Sequence, residues 1–382
     1  MSREHYDVVV AGVGGVGAAT VAHLARRGRD VLGLERFDVP HAHGSSHGES
    51  RIVRKAYFEG SGYVPLVERA YALWDELEAE TGRDLRTTTG LVVAGPPGSE
   101  TVTDATAACE AHGLAHERLD ADALADRHPG FDLPASFEAL VQPDGGFLRA
   151  DDCVTAHVDA AHDAGATIRA REAVTDWRPT GDGVRVSTTR GTYAADRLVV
   201  TAGSWAGDLL PGLDPDLRVE RQVAAWFRPR RPERFAPARH PVYIVDPGET
   251  EAVPDGHELY GFPRVDRPGV KAGVHHHLGG AVDPDDVPAG SPEDEAVVRG
   301  LLERHLPDAA GETLGLRTCL YTNTPDGDFV VDAHPEHPEV VIGAGFSGHG
   351  FKFAPVLGEV LADLAVDGRT EHPVDAFGFD RL

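Results

Sequence analysis

A strand, a glycine-rich turn, a helix and a second strand closed by an acid open this chain, and that unit restricts what the rest can be. Tyr6 to Ala11 reads as a short buried strand, with Val8, Val9 and Val10 in a row. Gly12-Val-Gly14-Gly15-Val-Gly17 follows at once, then a helix rich in Ala and Leu to Arg27, a stop at Gly28, and the strand Val31-Leu-Gly-Leu34 ending in Glu35. Gly12 makes the tight turn, Gly14 lets backbone approach a pyrophosphate, and Gly17 lets helix and strand pack closely. The helix N-terminus offers free N–H groups and a positive dipole end to phosphates. Glu35 can accept hydrogen bonds from ribose hydroxyls and would repel a 2′-phosphate, which argues against NADP. The unit predicts a dinucleotide site; by itself it does not separate FAD from NAD.

Val8 to Ala22 carries no formal charge. It is nevertheless too short for a membrane span and is interrupted by glycines. Glu4 and Asp7 stand where a signal peptide needs positive charge. The expectation is a cytoplasmic protein with no membrane partner. The 62 acidic against 36 basic residues give a net charge of -26, which excludes a general nucleic-acid binder. Cys109, Cys153 and Cys319 are too scattered for a disulfide framework or a zinc pattern. Only Lys55, Lys271 and Lys352 are lysines. An acidic, Lys-poor chain fits adaptation to high salt, where self-repulsion is screened, and it equally fits a GC-rich genome that writes Arg for Lys. In either case a lysine here marks a place for a compact ammonium rather than a planar fork.

The pattern predicts helices over Val64–Thr81, Asp152–Ala164, near Asp294–His305 and over about Ala354–Val366. Strands are expected at Leu91–Ala94, Thr167–Arg169, Val184–Thr188, around Tyr193, at Leu198–Thr201 and at Val340–Phe346. Residues 215–320 read as strand-rich, so a second domain is inserted between nucleotide-binding strands.

Four further segments carry a resemblance. They are Gly44-Ser-Ser-His-Gly-Glu-Ser-Arg-Ile-Val-Arg54; Leu259-Tyr-Gly-Phe-Pro263 with Lys271-Ala-Gly-Val-His275; Cys319-Leu-Tyr-Thr-Asn-Thr-Pro-Asp326; and Gly343-Ala-Gly-Phe-Ser-Gly-His-Gly-Phe-Lys-Phe353. With the N-terminal motif, the chain resembles the monomeric sarcosine oxidase and N-methyltryptophan oxidase family of FAD amine oxidases over nearly its whole length. The resemblance implies an α/β plus mixed-β fold of the glycine oxidase and D-amino acid oxidase type. A Rossmann-type FAD-binding domain (1–85, 145–215 and 318–382) is interleaved with a mixed-sheet substrate domain (86–144 and 216–317).

It also implies FAD joined covalently through Cys319, where a buried apolar cysteine would be the ordinary alternative. Cofactor contacts fall to Gly12, Gly14, Gly15, Gly17, Glu35, Arg36, Ser46, Ser50, Val174, Gly203, Trp205, Gly345, Phe346 and Gly350. Arg54 and Lys352 match a clamp on the substrate carboxylate, rather than a surface ion pair and a helix-end solubiliser. Gly348 matches a position beside the substrate. Lys271 matches the lysine where oxygen reacts, with His47 and Arg51 adding positive charge. His275, Tyr260 and Tyr321 match the walls around the amine. Ser50 and Ser46 depart from residues common in relatives, and the covering residues around Pro241 to Pro254 carry no readable specificity code. Lys55 matches no family role and is expected in solvent.

His275-His276-His277 is not expected to bind metal, because neighbours in a strand alternate faces. The implied reaction is oxidative demethylation of a sarcosine-like N-methyl amino acid to the primary amino acid, formaldehyde and peroxide. Its partners are that small amino acid and oxygen, and the protein is a monomer or homodimer. The rivals are an oxidase or dehydrogenase of a cyclic imino acid, and a non-catalytic flavin- or NAD-holding module.

Overall fold

The computed structural model describes residues 5–210, 213, 216–248, 257–278 and 280–382. Part of the expected pocket cover, 249–254, lies outside the described residues. Two large sheets of eight strands each organise the chain.

The first sheet grows from the opening strand, His5–Ala11, which pairs in parallel with Val31–Leu34 on one side and Thr192–Val200 on the other. Thr167–Arg169 and Val340–Ala344 extend the parallel order at the two edges. A run of Val residues buried on both faces is what a parallel strand covered by helices requires. Helices Gly15–Arg26, Val64–Thr81, Ala150–Asp163 and Ala354–Asp367 supply the cover on one side, their apolar stripes merging in one core. The antiparallel strands Val174–Thr180 and Gly183–Thr188 continue the sheet from Thr192–Val200. The helix Val64–Thr81 spans the predicted residues and ends at Gly82 in the left-handed conformation that favours glycine (φ 67°).

The second sheet has eight strands, in spatial order Thr313–Asn323, Arg218–Phe227, Val270–Val274, Leu259–Arg264, Val242–Val245, Leu91–Gly95, Glu138–Gln142 and Glu117–Asp120. Its side chains divide with a period of two. Val270, Ala272, Val274, Leu259, Ala225 and Phe227 enter a core shared with the helix Pro292–His305. The alternate residues Lys271, Tyr260, Phe262, Ala224 and Trp226 line a cavity on the opposite face. The sequence Val270-Lys-Ala-Gly-Val274 is therefore one strand serving a core and a site at once.

Two helices lie where no element was expected, Glu100–Ala111 and Ala121–Arg127. The histidine run also differs from its reading as a strand. The strand ends at Val274, and His276 takes φ 54°, so a turn rather than strand alternation separates the rings. Each ring finds its own partner: His275 Nδ1 the Tyr321 hydroxyl at 3.2 Å, His276 Nδ1 Glu220 at 3.1 Å, and His277 Nε2 Asp294 at 2.9 Å. Among the described residues no group of His, Cys, Asp and Glu is arranged to hold a metal ion, and no helix is long and apolar enough to cross a membrane. Lys55 is not in open solvent: its ammonium lies 4.9 Å from the Tyr71 ring centre and 3.7 Å from Asp144.

Candidate active site

The helix Gly15–Arg26 starts at Gly14, which has no side chain to fold back onto the first-turn amides, and no acid stands in that first turn. A cavity of about 450 Å³ opens there, within the usual range for cofactor sites. Gly12, Gly14, Gly15, Glu35, Arg36, Ser46, Val174, Gly203, Trp205, Gly345, Phe346 and Gly350 all line it. A Cβ on Gly15 would come within 3.0 Å of Ser46 Oγ and the Phe351 ring, so at this position the wall tolerates little more than backbone. Ser46 Oγ also accepts the Gly15 N–H at 3.1 Å. Glu35 is buried and accepts the N–H groups of Val13 and Phe37, each at 2.9 Å. Those bonds fix the carboxylate at the end of its strand, on the wall of the cavity, with His41 Nε2 3.5 Å from one oxygen. Gly17 does not line the cavity. A Cβ there would lie 1.9 Å from the Gly12 carbonyl oxygen, so this glycine brings turn and helix together. The cradle fits an extended dinucleotide.

A second, smaller cavity of about 110 Å³ shares Arg51, Tyr321, Gly348 and Phe351 with the first. Cys319 and Ser50, expected beside the cofactor, line this second space. His47, Arg54, Tyr260, Lys271, His275 and Lys352 line it too. Strand alternation explains much of the gathering: Arg317, Cys319 and Tyr321 share one face of their strand, and Tyr260 lies across from Gly273 in the ladder. A Cβ on Gly273 would meet the Tyr260 hydroxyl at 2.5 Å, so the missing side chain is where that ring rests. Gly348 makes the same provision for the Tyr321 ring, at 2.3 Å, and its φ of +77° favours glycine.

Electrostatics set the tone of this space. Lys271 is buried, and its ammonium donates to the carbonyls of Gly48 and Ser50, both at 2.8 Å. Burial, with Arg51 next in weight, pushes its pKa well below the ordinary lysine range. Lys352 donates to the His349 carbonyl at 2.7 Å, and burial together with Arg54 lowers it to about 7. Arg54 is buried over the rings of Tyr57 and Phe58 and meets both oxygens of Glu59 at 2.5 Å. For Glu59, burial works to raise the pKa, but Arg54, His349 and Lys352 outweigh it and bring it to about 2. Burial keeps His275 and His47 neutral, His47 being lowered to about 3 with help from Arg51 and Arg317. By contrast, burial raises Cys153 and takes Cys109 up to about 11, which holds both as inert thiols in the cores.

Sequence reading missed Glu59, Glu258, Arg317, Trp226 and Phe262 on this wall. Three of them had a signal: Glu258, just before the strand Leu259–Arg264, and Phe262 within it alternate with Tyr260, and Arg317 alternates with Cys319 along another strand.

The family described as FAD dependent oxidoreductase matches residues 7–364. The chain belongs to that family. It is 42% identical over 381 residues to a monomeric sarcosine oxidase from Streptomyces avermitilis, covering 99% of this chain and 98% of the relative. It is 35% identical to an N-methyl-L-tryptophan oxidase from Escherichia coli, with 99% of each chain covered. Among solved structures, NikD, an unusual amino acid oxidase essential for nikkomycin biosynthesis, superposes with a TM-score of 0.84 at 29% identity, covering 98% of this chain and 97% of the other. The fold is that of the FAD-dependent amino acid oxidases, the cofactor is FAD, and the enzyme is an FAD-dependent amine oxidase.

Proposed function

We propose that this enzyme oxidatively demethylates a secondary N-methyl amino acid, with oxygen as acceptor and FAD held covalently by Cys319. The observation that carries the reading is the meeting of Arg54, Lys352, Tyr260, His275, Lys271 and Cys319 on one small cavity that shares its walls with the dinucleotide cradle. When bound, FAD supplies the acceptor for the hydride leaving the N-methyl carbon and passes the electrons to oxygen as hydrogen peroxide. The imine then adds water and breaks down to formaldehyde and the primary amino acid.

The residues prepare that chemistry. Arg54 and Lys352 bind the substrate carboxylate and so orient the amino acid. Tyr260, Tyr321 and the neutral His275 enclose the amine. Burial and nearby cations disfavour an ammonium there, so the amine stands as the reactive neutral base. Lys271 places positive charge where oxygen becomes an anion, with Arg51 adding to it. Ser46 and Glu35 order the cradle, and the Cys319 sulfur would hold the cofactor by a thioether. The division into a discontinuous FAD-binding part (1–85, 145–215 and 318–382) and a substrate part (86–144 and 216–317) belongs to the same proposal.

The test is a substrate panel of sarcosine, larger N-methyl amino acids, proline and pipecolate, scored for oxygen uptake, peroxide and formaldehyde. Formaldehyde formed in step with peroxide from N-methyl amino acids is the expected result. Turnover of proline or pipecolate alone, or reduction of dyes without oxygen uptake, would replace the reading with a cyclic imino acid enzyme or a dehydrogenase.

A further inference from the structure

Two acids line the substrate cavity, and they are in opposite situations. Glu59 is locked to Arg54. Among the described residues, Glu258 has no cation paired with it. It is 7% exposed, its Oε1 accepts the Thr101 hydroxyl at 3.1 Å, and its Oε2 finds no hydrogen-bond partner among the described residues. Its place is set by the ladder: two residues before Tyr260 on the same face, with its carbonyl accepting the His275 N–H at 2.8 Å. Burial, then the nearby carboxylates Glu59 and Asp246, raise its pKa to about 7. Each cation on the cavity wall that carries the proposed chemistry already has an internal acceptor: Arg54 has Glu59, Lys352 the His349 carbonyl, and Lys271 two carbonyls. Glu258 therefore marks an acidic pole at which a buried carboxyl is left unsatisfied, a costly state unless a ligand completes it.

We propose that Glu258 forms a subsite for a cationic side chain on the amino acid that the cavity takes, a second amine carried away from the reacting nitrogen. The proposal rests on the amine-oxidase reading above and names its substrate class. The reacting nitrogen is the wrong partner, because a carboxylate beside it would hold it as an unreactive ammonium. A side-chain cation suits the place better. It would pair with the ionised Glu258, offset the repulsion from Glu59 and Asp246 that disfavours that form, and lay its methylene stem along Ile244, Phe58 and Phe262, which line the same cavity.

The experiment compares anaerobic flavin reduction of the flavin-loaded enzyme by Nα-methyl-lysine, Nα-methylornithine, the neutral N-methylnorleucine and sarcosine. The wild type should favour the diamino acids over N-methylnorleucine by on the order of 10- to 100-fold in reduction rate over Kd, the scale of a buried hydrogen bond to a charged group. E258Q keeps the shape and the Thr101 bond and should erase most of that preference, while sarcosine reduction changes little. Glu258→Leu should go further and favour N-methylnorleucine. No preference in the wild type, or the same preference in both variants, would overturn the subsite. An equal loss with sarcosine and all others would also overturn it, by assigning Glu258 to the reacting amine. Flavin reduction by none of the N-methyl compounds would instead bring down the oxidase reading, and the subsite with it.

Discussion

The guanidinium of Arg54 grips the carboxylate of Glu59, both oxygens at 2.5 Å, inside the cavity proposed to take a substrate carboxylate. Glu59 thus occupies Nη2 of Arg54, while Nη1 donates to the Ala56 carbonyl at 2.6 Å, so both terminal nitrogens that an incoming carboxylate would need are engaged. Glu59→Gln should weaken the hold on Nη2 and tighten binding of small carboxylate inhibitors such as methylthioacetate, severalfold, while FAD remains bound. Flavin difference spectra during inhibitor titration measure this. Weaker binding in the variant would mean that Glu59 holds Arg54 in its working position.

Lys352 should impose a pH dependence on the same titration. Its pKa is lowered to about 7, so the ammonium is present below that pH and lost above it. Inhibitor affinity should therefore fall as pH rises through about 7, with bound carboxylate moving the midpoint upward. Lys352→Met should flatten the profile and cost about 2–5 kcal/mol of binding at low pH. A profile unchanged by the substitution would remove Lys352 from the clamp.

Much of this arrangement was legible in the sequence, for identifiable reasons. The Val64–Thr81 helix announced itself by its apolar stripe of Leu66, Val67, Ala70, Leu73, Trp74 and Leu77. Glu100–Ala111 and Ala121–Arg127 were not legible because Thr and Ala dilute any stripe. Their N-caps, Ser99 and Asp120, were the available signal, each accepting a first-turn N–H. Cys319, Lys271 and Tyr260 sit in motif-like segments, whereas Glu59 and Glu258 belong to none. Lys55 looked idle because nothing in the sequence shows that Tyr71 lies beneath it.

Lys271 should separate the two half-reactions. Lys271→Met should slow reoxidation of reduced flavin by orders of magnitude and slow anaerobic reduction far less. Because burial and Arg51 lower its pKa, the charge is present below that lowered value and lost above it. Reoxidation should thus fall with rising pH at a midpoint below the ordinary ~10.4 of lysine. Lys271→Arg, which keeps its charge, should remove the pH dependence while recovering only part of the rate. Collapse of reduction with intact reoxidation would reassign Lys271 to the substrate.

Covalent attachment is tested by acid precipitation. Flavin-loaded protein should give a yellow pellet, and Cys319→Ser should release its flavin to the supernatant. A colourless pellet from loaded wild-type protein would exclude the thioether.

The net charge of -26 predicts a melting temperature that rises from low to molar KCl as carboxylate repulsion is screened. A flat or falling trend would leave genome composition as the reason for the missing lysines.

Oxidation of an N-methyl amine in this cavity would reduce the flavin and yield formaldehyde together. Anaerobic titration of the flavin-loaded enzyme with an N-methyl amino acid, followed by quantification of formaldehyde, tests it most directly. Bleaching of the flavin with one formaldehyde released per flavin reduced is the predicted result; a flavin that stays oxidised, or bleaches without formaldehyde, would contradict it.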